Sequence, residues 1–146
     1  MTRGDVLAVH RSFYEAIEAG DVDLMAALWI DRPDTACAHP GTTPVRGTSA
    51  ILRSWTMLMA QAGYLQFFLT DVEVSYTSDG AVAIVTCTEN ILSGHGLESA
   101  DSFAGGRVTS TSVLVLRHGS WQFHTRHASP IIDFDSDEFG GDGEEE

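Results

Sequence analysis

Lysine is missing from this chain altogether, and its 8 arginines face 21 acidic residues, for a net charge of −13. A phosphate backbone needs clustered cations, so nucleic acid is excluded as an expected partner. The want of lysine itself reads as genome composition, not chemistry. Cysteine is almost as scarce. Cys37 and Cys87 lie far apart in no metal-like spacing and read as buried free thiols rather than a disulfide. No apolar run approaches the roughly 20 residues that cross a bilayer. The N-terminal "MTRGDVLAVHRSFYEA" carries acids where a secretion signal would not, so a cytoplasmic protein with no membrane partner is expected. A glycine-rich phosphate loop, a GxSxG elbow and zinc-type Cys/His spacing are also lacking, and no metal or cofactor is expected.

What is present is unevenly placed. Eight of the 21 acids fall in "DFDSDEFGGDGEEE", and removing them leaves 13 acids against 8 arginines, or −5, an ordinary value for a globular domain. Residues 1–131 therefore read as one domain, large enough for a single core, and 132–146 as a self-repelling, disordered acidic tail.

Apolar spacing predicts a helix over residues 5–19 ending at Gly20, and a short second helix with Asp21 as N-cap. A third runs over 48–62, capped by Thr48 or Ser49 and ended by Gly63. "DTACAHP" reads as a brief strand and "GTTPVRG" as a turn or small hairpin arm. From residue 67 the period becomes two. "FFLTDVEVSYT" and "AVAIVTCTENI" form a hairpin across Asp79-Gly80, and "RVTSTSVLVLR" and "WQFHTRHA" form another across "HGS". Residues 93–106 read as an irregular loop. Helices followed by antiparallel strands make an α+β domain with helices on one sheet face.

Strand pairing lets one strand assign the faces of its partner. Val72 and Val74 face inward, so Val85, Cys87 and Glu89 do too, with Glu89 opposite Thr70. In the second hairpin, Trp121, Phe123, Leu114 and Leu116 share the inner face. An unbroken period of two then puts Ser112, Thr125 and His127 there as well, leaving Gln122, His124 and Arg126 outside. Both hairpins are thus apolar near their turns and polar at their far ends, the pattern of a sheet that lines a cavity.

The element order and the stretches "FYEAIEAGDVDLMAALW", "HPGTTPVRGTSAILRSW", "VTCTEN" and "GSWQFHTRHASP" resemble the nuclear transport factor 2-like superfamily, in its SnoaL-like or ketosteroid isomerase-like branch, over residues 6–131. The resemblance implies a cone of about six strongly curved antiparallel strands wrapped on three helices, with an apolar pocket at one end. It also implies a homodimer through the outer sheet face. Carried over by position, it implies pocket residues Tyr14, His39, Trp55, Glu89, Ser112 and His127. The superfamily holds isomerases, dehydratases, polyketide cyclases and non-catalytic modules, so fold alone leaves the activity open.

A carboxylic acid in an apolar cone has its pKa raised, which suits acid/base work near neutrality. Glu89 is accordingly expected to act with His127 and His39, while Tyr14 donates to a carbonyl or enolate oxygen. Trp55, Trp29 and Phe68 would shape the wall, with Ser112 and Thr125 beside them. Such a set supports isomerisation, cyclisation or loss of water in a small apolar carbonyl compound. The alternative is a non-catalytic dimeric ligand-binding or association module. His10 and His95 are expected to face solvent.

Overall fold

The computed structural model describes residues 3–93 and 106–132. Residues 94–105 of the expected irregular loop, with His95, and all of the acidic tail beyond Ile132 lie outside the described residues, while Ser93, expected in that loop, ends a strand. Three helices, α1 (Arg3–Ala19), α2 (Val22–Leu28) and α3 (Thr48–Ala62), pack on one sheet. Its strands are β1 (Ala36–Ala38), β2 (Val45–Arg46), β3 (Leu65–Tyr76), β4 (Val82–Ser93), β5 (Arg107–Arg117) and β6 (Ser120–Pro130). The sheet order is β2-β1-β6-β5-β4-β3, with every pair antiparallel except β1 and β6. The expected α+β class is the one found.

Helix α1 buries Val6, His10, Phe13, Tyr14 and Ile17, a stripe at three- and four-residue spacing. His10 thus belongs to the core, a correction to its expected exposure. Gly20 ends the helix at φ 67°, where a side chain would be strained, and donates its N–H to the Ile17 carbonyl. Asp21 at once caps α2 by accepting from the Leu24 N–H at 3.0 Å. The third helix differs from expectation at its start. Its N-cap is Gly47, and Thr48 instead donates its hydroxyl to the Ile30 carbonyl, tying α3 to the end of α2.

Two bulges decide which side chains reach the interior. The β3–β4 hairpin pairs Val74 with Val85, as the turn chemistry predicts, but the register slips between Thr70 and Glu73, where Asp71 takes φ 54°. Beyond the slip Leu69, not Thr70, lies opposite Glu89. Phe67 turns inward, and Phe68 turns outward and is 50% exposed, so Phe68 is corrected from wall residue to outer-face residue.

The β5–β6 hairpin turns through His118 (φ 53°) and Gly119 (φ 81°), the two positive φ values of a primed turn. It pairs Leu114 with Phe123 as expected, and then Val113 with Thr125. One residue, His124, is extra, and it reverses the facing of everything after it. Arg126 and Ala128 are buried opposite Ser112 and Ser110. His127 points outward, exposed, with its Nε2 3.2 Å from Ser129 Oγ, and Thr125 is half-buried against the His124 ring. The inward placement of His127 and Thr125 is therefore corrected, and Arg126 moves from the outer face to the inner one. The bulge sits where β6 has neighbours on both edges: Ile30 donates its N–H to the Phe123 carbonyl, and Ala36 pairs with Thr125.

Candidate functional site

A cavity of about 340 Å³ opens between α3, the end of α1 and the inner face of the sheet. Its walls are mostly apolar: Ile17 comes from α1, Trp55, Leu58 and Met59 from α3, and Leu65, Phe67 and Ile91 from the β3–β4 hairpin. Among the described residues that line it, the ionisable ones are His39, Glu89 and Arg126. A larger groove of about 670 Å³ runs along the surface beside the β5–β6 turn, between Val9 and Trp121. Its ionisable side chains, Asp5, Arg117 and His118, are all exposed, so the smaller cavity is the candidate site.

Glu89 is fully buried on the unbroken alternation Ala83, Val85, Cys87, Glu89 of β4. Arg126 Nη1 donates to its Oε2 at 2.6 Å and Nη2 to its Oε1 at 3.3 Å, a two-pronged pairing that suits a planar guanidinium. Tyr14 on α1 donates its hydroxyl to the same Oε2 at 2.5 Å, and also receives Arg126 Nη1 at 3.5 Å. The guanidinium lies over the Phe13 ring, 4.7 Å from its centroid. Burial by itself would push the Glu89 carboxyl up, but the Arg126 charge and the hydrogen bonds from Arg126 and Tyr14 outweigh it and hold the pKa below the usual carboxylate value. The expectation of a raised Glu89 pKa is thereby corrected: at neutral pH this group is an ionised partner, not a reservoir of protons. Burial raises the pKa of the Tyr14 hydroxyl, which stays protonated and donating.

His39 stands at the end of β1 just before Pro40, with its ring edge-on to Trp55 at 4.7 Å between centroids. Its Nε2 is 2.9 Å from Ser54 Oγ, whose own hydrogen goes to the Ile51 carbonyl at 2.7 Å. Ser54 therefore accepts from Nε2–H, which leaves Nδ1 with the lone pair and no hydrogen-bond partner. Burial, then the Arg126 charge, lowers the His39 pKa, so the ring is neutral at physiological pH.

Of the nine residues singled out in the sequence, Glu89, His39 and Trp55 line the cavity. Tyr14 sits behind Glu89, touching the carboxylate rather than the lumen. Trp29 is buried against Phe123 in the core, at 5.6 Å between centroids, and is no part of the wall. Ser112 faces inward as expected but is fully buried beside Arg126 on the neighbouring strand, away from the lumen. His127, Thr125 and Phe68 lie off the cavity. The residue that sequence reasoning missed is Arg126. A signal for it existed: a carboxylate assigned to the core face demands a cation, and arginine is the chain's sole permanently charged base.

The model of the SnoaL-like domain family matches residues 6–133. Among solved structures, a "putative dehydratase" of the NTF2-like family from Streptomyces avermitilis is 39% identical, with a TM-score of 0.78 over 89% of this chain and 96% of that one. An NTF2-like protein of unknown function from Pseudomonas putida is 20% identical, with a TM-score of 0.72 over 91% and 89% of the two chains. A "putative scytalone dehydratase" from Novosphingobium aromaticivorans is 11% identical, with a TM-score of 0.69 over 90% and 86%, a likeness of fold alone. No curated protein is significantly similar to the chain. With its helices, its bulged sheet and the family match over residues 6–133, the chain belongs to the SnoaL-like domain family of the NTF2-like superfamily.

Proposed function

We propose that this protein is a cofactor-independent acid/base enzyme, of the dehydratase or isomerase type, acting on a small apolar carbonyl compound. The observation that carries the reading is a neutral imidazole and a buried guanidinium, the latter paired with Glu89, sharing one mostly apolar cavity. His39 serves as the base, because its Nδ1 lone pair is uncommitted. Arg126 polarises the substrate carbonyl, and Glu89 and Tyr14 hold Arg126 in place.

In the dehydratase case, His39 takes the proton from the carbon beside the carbonyl. The electron pair moves to the carbonyl oxygen, where the Arg126 N–H groups stabilise the enolate. The enolate then expels the β-hydroxyl group, which leaves as water with the proton from His39. Isomerisation returns that proton to another carbon instead. The 39% identical relative described as a putative dehydratase supports the first outcome.

The test is deuterium exchange beside the carbonyl, together with water loss, across a panel of cyclic and aryl β-hydroxy ketones followed by NMR. The expected result is turnover that falls by about 10²–10⁴ in His39→Gln. Full activity in that variant would remove His39 from the mechanism.

A second reading, a non-catalytic dimeric binding or association module, is favoured by one observation: Arg126 and Tyr14 already occupy the Glu89 carboxylate. The dimer would form through the outer sheet face, where Phe68 and Leu92 are each 50% exposed. A tight complex with a ring ketone and no exchange, from a protein that light scattering finds dimeric, would decide for it.

A further inference from the structure

If Glu89 is not the base, its presence in an apolar cavity needs another reason. Breaking even on such a burial is hard, since each ion sheds its water at a cost of several kcal/mol. Glu89 and Arg126 meet at 2.6 Å with side chains 1% and 3% exposed, so their charges cancel within the wall. The third ionisable lining group, His39, is neutral. The described cavity wall therefore carries no net charge, although it holds a guanidinium.

That arrangement discriminates between guests. An anion entering the cavity loses its hydration and finds Arg126 already neutralised, with the Glu89 carboxylate close behind to repel it. A neutral carbonyl oxygen pays no such penalty and still finds donors. Arg126 gives three hydrogen bonds to Glu89 and Tyr14, and a guanidinium carries five N–H groups. The volume limits the guest as well: about 340 Å³ equals roughly eleven waters at liquid density, enough for a single ring with short substituents.

We propose that Glu89 is the specificity-determining residue of this cavity: by cancelling the Arg126 charge it confines the ligand to uncharged, oxygen-bearing ring compounds and excludes carboxylates. The proposal rests on the cavity being the ligand site, as under the proposed function, but not on turnover.

Acetophenone and benzoate share a ring and nearly a size, and differ in charge. Binding of each to the full chain is measured at neutral pH by calorimetry and ligand-observed NMR. Acetophenone is expected to bind the wild type at least about tenfold tighter. Glu89→Gln, which leaves the Arg126 charge uncompensated, is expected to erase that preference, with benzoate gaining at least about tenfold relative to acetophenone. Because that variant can fail to fold, a second measurement uses the wild type alone. If only neutral benzoic acid enters, its apparent affinity rises about tenfold between pH 7 and pH 6, as the protonated fraction does.

Benzoate bound as tightly as acetophenone, a flat pH series, a folded Glu89→Gln with no gain for benzoate, or no binding of either probe at millimolar concentration would each overturn the proposal. Obedience to the charge rule without proton exchange on any ketone would defeat the proposed chemistry and leave this inference standing. Turnover of ketones and carboxylates alike would do the reverse.

Discussion

Replacing Glu89 by leucine would strand the Arg126 guanidinium in the core, 3% exposed, with the Phe13 ring on one face and no counter-charge. Arginine cannot escape by giving up its proton. The full penalty of an uncompensated buried charge then falls on folding, about 3–5 kcal/mol. For a chain of this length each kcal/mol lowers the thermal midpoint by roughly 4 °C, so a drop of about 12–20 °C is expected. Arg126→Met should cost less, because the carboxyl left behind can take up a proton, and the cost should shrink further as the solution is acidified. The double variant Glu89→Leu/Arg126→Met leaves no buried charge and should be more stable than Glu89→Leu alone. Urea denaturation of the wild type, both single variants and the double closes a thermodynamic cycle with an expected coupling above about 2 kcal/mol. Additive single-variant costs, with a coupling near zero, would refute the reasoning, because the two groups would then not depend on each other for their burial.

Two further outcomes follow from the same geometry. Burial, with the Arg126 charge next, pushes the His10 imidazole from 6.5 down to about 4. A depressed folded value means that its contribution is complete above pH 6.5 and is lost as the pH falls towards 4, for about 3 kcal/mol in all. His10→Leu should flatten the stability–pH curve in that window; a slope unchanged from wild type would place the proton elsewhere. His127→Ala, on the exposed outer face, should alter stability by less than about 0.5 kcal/mol and ketone binding not at all, and a weakened complex by calorimetry would return His127 to the site.

How far the sequence reached can be judged strand by strand. On β4, alternation runs unbroken from Ala83 to Glu89, and the inward facing of Glu89 was legible from period alone. On β6 the same rule holds to Phe123 and then fails, because His124 adds one residue that the pairing with β5 does not use. A single insertion exchanges the two faces, which is why His127 and Arg126 traded places. On β3 the slip at Asp71 did the same to Phe67 and Phe68. His39 and Trp55 were named through the resemblance to the SnoaL-like branch, carried over by position, and both line the cavity.

The sequence by itself determined the class of fold, the order of its helices, the glycine stops of α1 and α3, the two hairpin turns and the inward run of β4. These depend on spacing and turn chemistry within a few residues of chain. Only the tertiary structure decided that Arg126 meets Glu89. That pairing depends on the bulge of β6 at His124, beside its contacts with β1 and with the segment after α2, and contacts between distant segments leave no periodic trace in either one.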